Sequence, residues 1–307
     1  MRIRPVAAVA GALVGLAASL LPAGGAQAAG GRPGVEIVAH RGASAYAPEN
    51  TLAAVDAAAG LGVAWVENDV QRTKDGELVV VHDTSLARTT DAEQVFPDRA
   101  PWNVADFTLA EIEKLDAGSW FGPKFAGERV PTLEDYMDAV EDNGQKLLLE
   151  IKAPELYPGI ERQILKELRE DGWLDRHHVK HRLIVQSFNA GSVKKVHSLR
   201  SDVKTGFLGT PAVAELPKYA AFADQINPQY KSIDAGYVAS VHKVKGPHGR
   251  PLEVFTWTVD AAADAVKAAG QGVNGIISNK PDVVRDALEG EDRQAGPARA
   301  AAGPGVA

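Results

Sequence analysis

The chain has 307 residues, contains no cysteine and carries a formal net charge of -7 at neutral pH. The absence of cysteine excludes disulfides and thiolate metal sites, and the acidic balance argues against a nucleic-acid-binding surface. Removing the arginines at positions 2 and 4 with an N-terminal leader would change the net charge from -7 to -9. An anionic substrate would therefore need a cation or local positive side chains inside its pocket.

The first 29 residues have the pattern of a secretory signal peptide. A basic start precedes an apolar stretch over residues 6–21, and Ala-Gln-Ala at 26–28 provides a small-residue cleavage site. A membrane anchor is the alternative, but the stretch is rich in alanine and glycine, is followed by Pro22 and is shorter than a usual bilayer span. We expect export to the extracellular or cell-wall space, with no stable membrane anchor.

Short apolar runs alternate with amphipathic segments over residues 30–289, which predicts one large α/β domain. The predicted strands are Val35–Ala39, Ala64–Val70, Lys146–Ile151, Leu183–Ser187, Val203–Leu208, Asp224–Asn227, Leu252–Trp257 and Gly275–Ser278. The main helical patterns are Thr51–Gly60, Leu133–Asn143, Gly159–Gly172 and Ala261–Ala269. This alternation predicts a (β/α)8 barrel of the TIM type. A doubly wound open sheet is the alternative, although its usual glycine-rich phosphate turn is missing after the first strand.

Three segments depart from the alternation. Lys74-Asp75-Gly76 predicts a tight turn, so Leu78–His82 should return antiparallel to the second strand. Residues 84–129 have weak periodicity and predict a loop-and-helix insertion that covers one mouth of the barrel. Residues 290–307 are rich in Gly, Ala and Pro, which predicts a disordered tail.

Carboxylates stand at or near the ends of two predicted strands. In a parallel barrel these ends meet at one mouth, where active sites lie. Glu67 and Asp69 are two residues apart and project to the same face of their strand, and Glu150 ends another strand. Three carboxylates without a soft ligand predict a site for a hard divalent cation, calcium or magnesium.

Two histidines and two basic residues lie at the ends of the neighbouring predicted strands. Arg41 and Lys152 can bind the non-bridging oxygens of a phosphodiester, arginine through its planar fork. His40 and His82 can act as general acid and general base, because histidine titrates near neutral pH. The sequence leaves open which histidine has which role.

A second group of residues should support this site. Phe188 and Trp257 follow or end strands and are predicted to line the pocket. Glu49 is expected to brace Arg41 from behind, and Gln186 ends the strand that precedes Phe188. Asn50 or Thr51 would cap the first helix.

Two further clusters are interpreted as solvated surface. One group of histidines lies in a charged stretch between a predicted helix and a strand, where a loop is favoured over a metal site. A basic group surrounds Gly246-Pro247 and predicts an exposed turn, with a substrate-facing loop as the alternative. The members are His177, His178 and His181 in the first cluster and Lys243, Lys245, His248 and Arg250 in the second.

Taken together, the motifs resemble the glycerophosphodiester phosphodiesterase family, and they follow the family's order over residues 35–286. The motifs are His40-Arg41-Gly42, Pro48-Glu49-Asn50-Thr51, Glu67-x-Asp69, Lys74-Asp75-Gly76, His82-Asp83, Leu149-Glu150-Ile151-Lys152, Gln186-Ser187-Phe188, Trp257-Thr258-Val259 and Gly275-Ile276-Ile277-Ser278-Asn279. Asn68 occupies a position that is often apolar in the family, and Lys280 one where an aromatic residue is common.

The resemblance implies a metal-dependent barrel that hydrolyses a small-molecule glycerophosphodiester to glycerol 3-phosphate and an alcohol. It implies that a hydroxyl of the substrate itself attacks phosphorus and that a cyclic phosphate follows. The residues that match the family's site are Glu67, Asp69 and Glu150 for the cation, His40 and His82 for acid and base, and Arg41 for the phosphate.

Two alternatives are kept. A related barrel could hydrolyse poly(glycerol phosphate) wall polymers or intact phospholipids, and the lipid enzyme should show an exposed apolar loop or a basic patch, neither of which is clear from this acidic sequence. A protein that binds phosphodiesters without cleaving them is the other alternative. Such a protein could dispense with both histidines. The alcohol group and the oligomeric state are not determined by the sequence.

Overall fold

The computed structural model describes residues 34–295. The predicted signal peptide and residues 296–307 of the predicted tail lie outside the described residues. The first part of that tail, from residue 290, is not irregular, because the last helix continues through Ala295. No helix among residues 34–295 is both long enough and apolar enough to cross a membrane.

Nine strands form one closed sheet in the described part of the chain. They are β1 Glu36–Ala39, β2 Trp65–Arg72, β3 Leu78–Val80, β4 Lys146–Ile151, β5 Leu183–Ser187, β6 Lys204–Leu208, β7 Gln225–Asn227, β8 Glu253–Thr256 and β9 Gly275–Ser278. Eight are parallel in the order β1-β9-β8-β7-β6-β5-β4-β2, and β1 pairs with β2 to close the barrel. The predicted TIM-type barrel is therefore confirmed, and the open sheet is excluded.

The remaining strand, β3, is the predicted hairpin return. It runs antiparallel to the end of β2, with Val70 opposite Val80. The first strand pairs with β2 only at Trp65 and Val66, so the second half of β2 is free to accept β3. The hairpin therefore extends the wall of the barrel without changing the number of parallel strands.

The helices surround the barrel. They are α1 Leu52–Gly60, α2 Ala92–Val95, α3 Leu109–Ile112, α4 Leu133–Asp142, α5 Ile160–Glu170, α6 Arg176–His181, α7 Ala190–Leu199, α8 Leu216–Tyr219, α9 Ala235–His242, α10 Ala262–Gly270 and α11 Pro281–Ala295. Thr51 begins α1, with its side chain accepting a hydrogen bond from the Ala54 amide at 3.3 Å. The histidine-rich segment that was predicted to be a loop forms the short helix α6.

Strand side chains alternate between two apolar layers, because successive residues point to opposite faces of a strand. Outward residues such as Val66 and Val70 pack against the helices. The inward layer below the predicted site is apolar and fills the barrel, so it closes the site from beneath. Its buried members are Val38, Trp65, Leu148, Ile184, Phe255 and Ile277.

The insertion over residues 84–129 consists of α2, α3 and three short 3-10 helices. Its apolar side chains, among them Leu86, Phe107 and Leu115, pack on Val79 of β3 and on Val81 just after it. None of its residues lines the cleft of the predicted site. Its residues Thr89 and Ala117 line a small neighbouring cavity with Glu49 and His82, so the insertion borders the mouth, and its role as a cover stays a prediction.

Candidate active site

Strand register brings the predicted metal ligands together. Asp69 on β2 pairs with Glu150 on β4, and Glu150 pairs with Gln186 on β5. Glu67 lies two residues before Asp69 on the same inward face. One carboxylate oxygen of each acid lies within 4.8 Å of the others. Residues 67, 69 and 150 therefore form one buried cluster at the carboxyl ends of the strands, called the upper mouth below.

The loop after β1 wraps this cluster through an unusual backbone. Arg41 and Asn50 have φ angles of 55° and 59°, a region that non-glycine residues rarely adopt. The Arg41 amide donates to Oε2 of Glu67 at 2.9 Å, and the Asn50 amide donates to the Arg41 carbonyl at 3.0 Å. Gly42 has φ 76°, and a Cβ there would come within 2.6 Å of Ala54. The glycine lets the loop approach α1 closely.

Two cationic side chains contact the buried carboxylates. Arg41 Nη1 donates to Glu49 at 2.8 Å, and its Nε lies 3.4 Å from Asp69. Lys152 Nζ donates to Glu150 at 2.6 Å and lies 3.3 Å from Oδ1 of Asp69. The two cations predicted to bind phosphate thus contact the predicted metal ligands directly, and Glu49 braces Arg41 as expected from the sequence.

The carboxylates do not have equal proton affinities. Burial and the adjacent charges of Asp69 and Glu150 raise the pKa of Glu67 well above its ordinary value. Burial and Asp69 raise the pKa of Glu150 to about 7. Burial also opposes ionisation of Asp69, but Lys152 and Arg41 together lower its pKa to about 2.

This charge pattern fits a divalent cation. Four carboxylates, those of Glu67, Asp69, Glu150 and Glu49, face the two cations Arg41 and Lys152. Oδ1 of Asp69 has no hydrogen-bond donor although it is buried. When all four carboxylates are ionised they exceed these two cations by two negative charges, and a buried oxygen-donor cluster of that charge is the environment that calcium or magnesium prefers.

The two histidines differ in the group that accepts the hydrogen bond from Nδ1. Nδ1 of His40 lies 2.7 Å from Oδ1 of Asn279, a neutral amide that Asp260 holds through the Asn279 Nδ2 at 2.8 Å. Nδ1 of His82 lies 2.6 Å from Oδ1 of Asp83, a carboxylate. Both partner oxygens only accept hydrogen bonds, so Nδ1 donates in each ring and Nε2 is left for a substrate.

The surroundings also lower the histidine pKa values. Burial, followed by the charge of Arg41, lowers the pKa of His40 to about 4. Burial, followed by Arg41 and Lys152, lowers the pKa of His82, while Asp69 and the bond to Asp83 oppose that shift. His40 therefore keeps an unprotonated Nε2 at neutral pH.

Arg88 of the insertion is a site residue that the sequence analysis missed. Its Nε donates to Oδ2 of Asp83 at 2.5 Å, and its Nη1 and Nη2 donate to Glu49 at 2.9 and 2.7 Å. It therefore joins the partner of His82 to the partner of Arg41. The sequence does show an arginine shortly after His82-Asp83, which could have indicated a role at the site. Its segment has weak periodicity, however, and its partner Glu49 lies far away in sequence, so the contact was not predicted.

The roles of two asparagine side chains at the site were also not predicted from the sequence. Nδ2 of Asn50 donates to Oδ2 of Asp69 at 2.8 Å, so Asn50 orients a carboxylate while Thr51 caps α1. Asn279 was quoted only as part of a motif. Gln186 is buried, lines the cleft and accepts a hydrogen bond from Asn227 at 2.9 Å.

Aromatic rings form one wall of the cleft. Phe188 and Trp257 make an edge contact with ring centroids 5.5 Å apart, and Lys152 Nζ lies 5.4 Å from the centre of the Phe188 ring. Phe188 is 51% exposed, which leaves its face open to a ligand. The structure thus places both predicted pocket residues at the cleft.

The basic group around Gly246-Pro247 lies at the other end of the barrel. It precedes β8, so it is at the amino ends of the strands and not at the upper mouth. The alternative of a substrate-facing loop is therefore wrong for the cleft described here. The histidines of α6 precede β5 and lie at the same distant end.

Comparisons with known proteins agree with this geometry. Residues 40–283 match the glycerophosphoryl diester phosphodiesterase family. A glycerophosphodiester phosphodiesterase of Caldanaerobacter subterraneus is 38% identical over 252 residues, which cover 81% of this chain and 95% of that protein. One from Bacillus subtilis is 34% identical over 270 residues, with 82% and 86% covered.

A solved structure extends the comparison to three dimensions. A phosphodiesterase from Oleispira antarctica, in complex with the product sn-glycerol-3-phosphate, has a TM-score of 0.71 and 27% sequence identity. The similarity covers 83% of this chain and 96% of that one. From the barrel, the ordered motifs and these relatives, the chain belongs to the glycerophosphoryl diester phosphodiesterase family.

Proposed function

We propose that the protein hydrolyses glycerophosphodiesters to glycerol 3-phosphate and an alcohol, with a divalent cation and two histidines. The observation that carries the proposal is the buried cluster of Glu67, Asp69 and Glu150 at a cleft that His40 and His82 also line. The relatives named as glycerophosphodiester phosphodiesterases support the reaction class. Export from the cell remains the expectation from the N-terminal sequence.

The three clustered acids would hold the cation. Their donors are all carboxylate oxygens, which supports calcium or magnesium over a softer metal. A divalent cation bound there would polarise a phosphoryl oxygen and balance the charge that develops on it. Asn50 and the Arg41 amide keep Asp69 and Glu67 oriented towards the cleft.

The two histidines are suited to opposite proton roles. The Asp83 carboxylate that accepts the Nδ1–H of His82 opposes the lowering of the His82 pKa, so of the two rings His82 is the one that would protonate the leaving alkoxide. His40 donates to a neutral amide and lies beside the Arg41 charge, so its free Nε2 would accept the proton of the attacking hydroxyl. Which hydroxyl attacks, that of the substrate or of water, is implied only by the family resemblance.

The remaining cleft residues would bind the rest of the substrate. Arg41 and Lys152 lie beside the carboxylates and line the cleft, so they can contact the non-bridging phosphate oxygens. Phe188 and Trp257 offer an apolar face for the glycerol or the alcohol group.

One observation supports a lipid as a second candidate substrate. Leu156, Phe188 and Val213 are 52%, 51% and 48% exposed, and they lie in the segments that follow β4, β5 and β6. Exposed apolar side chains on three successive loops at the upper mouth could contact an acyl chain. Turnover of lysophosphatidylcholine, compared with glycerophosphocholine and poly(glycerol phosphate), tests this candidate against the small diester and the polymer.

The proton roles can be tested with two leaving groups. His82→Ala should reduce kcat for glycerophosphocholine by about 10²–10⁴-fold, but should affect a glycerol p-nitrophenyl phosphodiester far less, because nitrophenolate leaves without a proton. His40→Ala should reduce both reactions to a similar extent. Equal losses on both substrates in the His82 variant would contradict the acid assignment.

The metal can be tested by removal and replacement. Treatment with a chelator should abolish turnover of both substrates, and titration with calcium or magnesium should restore it. Full activity in a chelated sample with no bound metal by elemental analysis would contradict the cation proposal.

A further inference from the structure

A large cavity at the far end of the barrel lies outside the active site. It has a volume of about 710 Å³ and is formed by segments that precede β5, β6, β7 and β8. We call this region the lower mouth. It is lined by the end of α6 and by the loop before β8, so it contains members of both clusters that the sequence analysis left as solvated surface.

Each acidic residue of the lower mouth contacts a basic side chain or an imidazole. Asp224 contacts His248 at 2.7 Å, and Glu253 contacts Lys204 at 2.5 Å. The third acid, Asp202, contacts Arg200 at 2.8 Å. Asp202 and Glu253 are therefore each paired with a cation, whereas the charge of Asp224 is offset only when the His248 ring is protonated.

Three basic residues of the same wall have no carboxylate partner in the described part of the chain, and they outnumber the one acid, Asp224, that lacks a lysine or arginine partner there. Arg176, Lys180 and Arg250 line the cavity, are exposed, and form no ion pair with any carboxylate of residues 34–291. The ring of His181 lines the cavity as well. The protein has a net charge of -7, so this concentration of positive charge is local and opposite in sign to the molecule as a whole.

The three cations come from two separate elements. Arg176 and Lys180 are four residues apart on α6, which separates them by about 6 Å along one helix face. Arg250 lies in a tight turn in which the Gly246 amide donates to the Arg250 carbonyl at 2.8 Å, and Lys245 bridges to Pro251. The structure thus presents positive charge from two elements around one cavity.

We propose that the lower mouth is a non-catalytic binding site for a linear polyanion of repeated phosphate groups without bases. Cations from two separate elements suit a ligand whose charges are spread along a chain, whereas one small anion would contact fewer of them. No Phe, Tyr or Trp lines the described cavity, so bases would find no stacking platform there.

The apolar layer inside the barrel separates this site from the active site. Its members Trp65, Leu148 and Phe255 are buried between the two mouths. Binding at the lower mouth is therefore independent of hydrolysis, and the inference does not rest on the proposed function.

A charge-deletion variant tests the site in the full chain. Fluorescence polarisation of labelled short-chain inorganic polyphosphate would be measured with the natural protein and with a triple variant, R176Q/K180Q/R250Q. The triple variant should bind about tenfold or more weakly and show a smaller salt dependence, because three phosphate contacts are lost. Its kcat/KM for glycerophosphocholine should be unchanged.

The matched control removes the same charge elsewhere. The variant K114Q/R162Q/K267Q changes three exposed cations that lie outside the lower mouth, and it should bind polyphosphate like the natural protein. Equal weakening in both variants, or none in the lower-mouth variant, would overturn the proposal. Competition by inorganic phosphate or by oligothymidylate as effective as that by polyphosphate would overturn the assignment to a base-free chain.

Discussion

Both mouths of the barrel are lined with charged side chains, but the two sets differ in burial and pairing. At the upper mouth Glu67, Asp69 and Glu150 are only 1%, 1% and 5% exposed, and they contact cations and amides. At the lower mouth Arg176 and Arg250 are exposed and unpaired within the described chain. Burial makes each charge of the upper mouth depend on its partners, so substitutions there should have large effects on turnover. Substitution of the exposed charges of the lower mouth should leave stability and turnover nearly unchanged.

The largest expected effect comes from one carboxylate of the buried cluster. Glu67→Gln should reduce kcat/KM by about 10³-fold, because a ligand of the proposed cation is lost. The fold should survive, since burial and neighbouring acids already favour the neutral form of Glu67. Steady-state kinetics and thermal unfolding measure the two effects.

A carboxylate of the lower mouth provides the matched control. Glu253→Gln breaks a pair with Lys204 in which both side chains are about one-third exposed. Such pairs contribute little to stability, so kcat/KM should change by less than about twofold. Similar losses in the two glutamine variants would remove the distinction between the mouths.

The next effect should come from Arg88, which contacts no predicted metal ligand. Arg88→Gln should reduce kcat by about 10–100-fold, because Asp83 and Glu49 lose the side chain that orients them. The Arg88 bond lowers the pKa of Asp83 to about 2, so its loss should also shift the pH profile of kcat. The pH–rate profile distinguishes this positioning role from general destabilisation.

Another arginine of the insertion serves as its control. Arg99 pairs with Glu111 at 2.8 Å within the insertion. Arg99→Gln should leave kcat and its pH profile unchanged even if the thermal midpoint falls. An identical kinetic defect in this variant would show that the insertion acts only through its stability.

A third prediction concerns acid stability. The pKa of His40 is about 4 in the folded protein and about 6.5 in an unfolded chain, so between these values the unfolded state binds more protons. The contribution of His40 to stability is therefore fully present above pH about 6.5, and about 2–3 kcal/mol of it is lost as the pH decreases to about 4.

Denaturant unfolding at several pH values, without added metal, measures this slope. His40→Asn should flatten it, because the titrating ring is gone. An unchanged slope in the variant would assign the acid sensitivity to other groups.

The smallest predicted effect lies on the outer face of β2. Asn68 is fully buried beside Val66 and Val70, and neither its side-chain nitrogen nor its oxygen has a hydrogen-bond partner. Asn68→Val should increase the free energy of unfolding by about 1 kcal/mol, because an unpaired buried amide is costly. Chemical denaturation measures the change.

The opposite effect on stability is expected for a buried side-chain amide that has hydrogen-bond partners. Asn227 donates to Gln186 at 2.9 Å and accepts from the Phe255 amide at 3.3 Å, so Asn227→Val should destabilise the protein. Destabilisation by Asn68→Val as well would indicate that Asn68 has a partner, such as a buried water molecule.

Local patterns were sufficient for much of the fold and for the buried acids. Strands such as β4, β5 and β9 are short, mainly apolar runs, and all three have the predicted bounds. The spacing of Glu67 and Asp69 places both on one face in any strand. These features depend on neighbours in sequence, so the sequence contains them directly.

Contacts between distant segments could not be predicted in this way. His40 and Asn279 are 239 residues apart, and they meet only because β1 pairs with β9 when the barrel closes. Arg88 reaches Glu49 across 39 residues from a segment whose own pattern is weak. Neither pairing has a local periodic signal.

The order of strands, the carboxylates at their ends and the histidines that follow them were determined by the amino-acid sequence alone. Only the tertiary structure decided which partner orients each histidine, that Lys152 lies between Glu150 and Asp69, and that α6 and the turn at Arg250 border one cavity. The physical reason is that strand periodicity is a short-range property of the chain, whereas charge pairing depends on distances set by closure of the whole barrel.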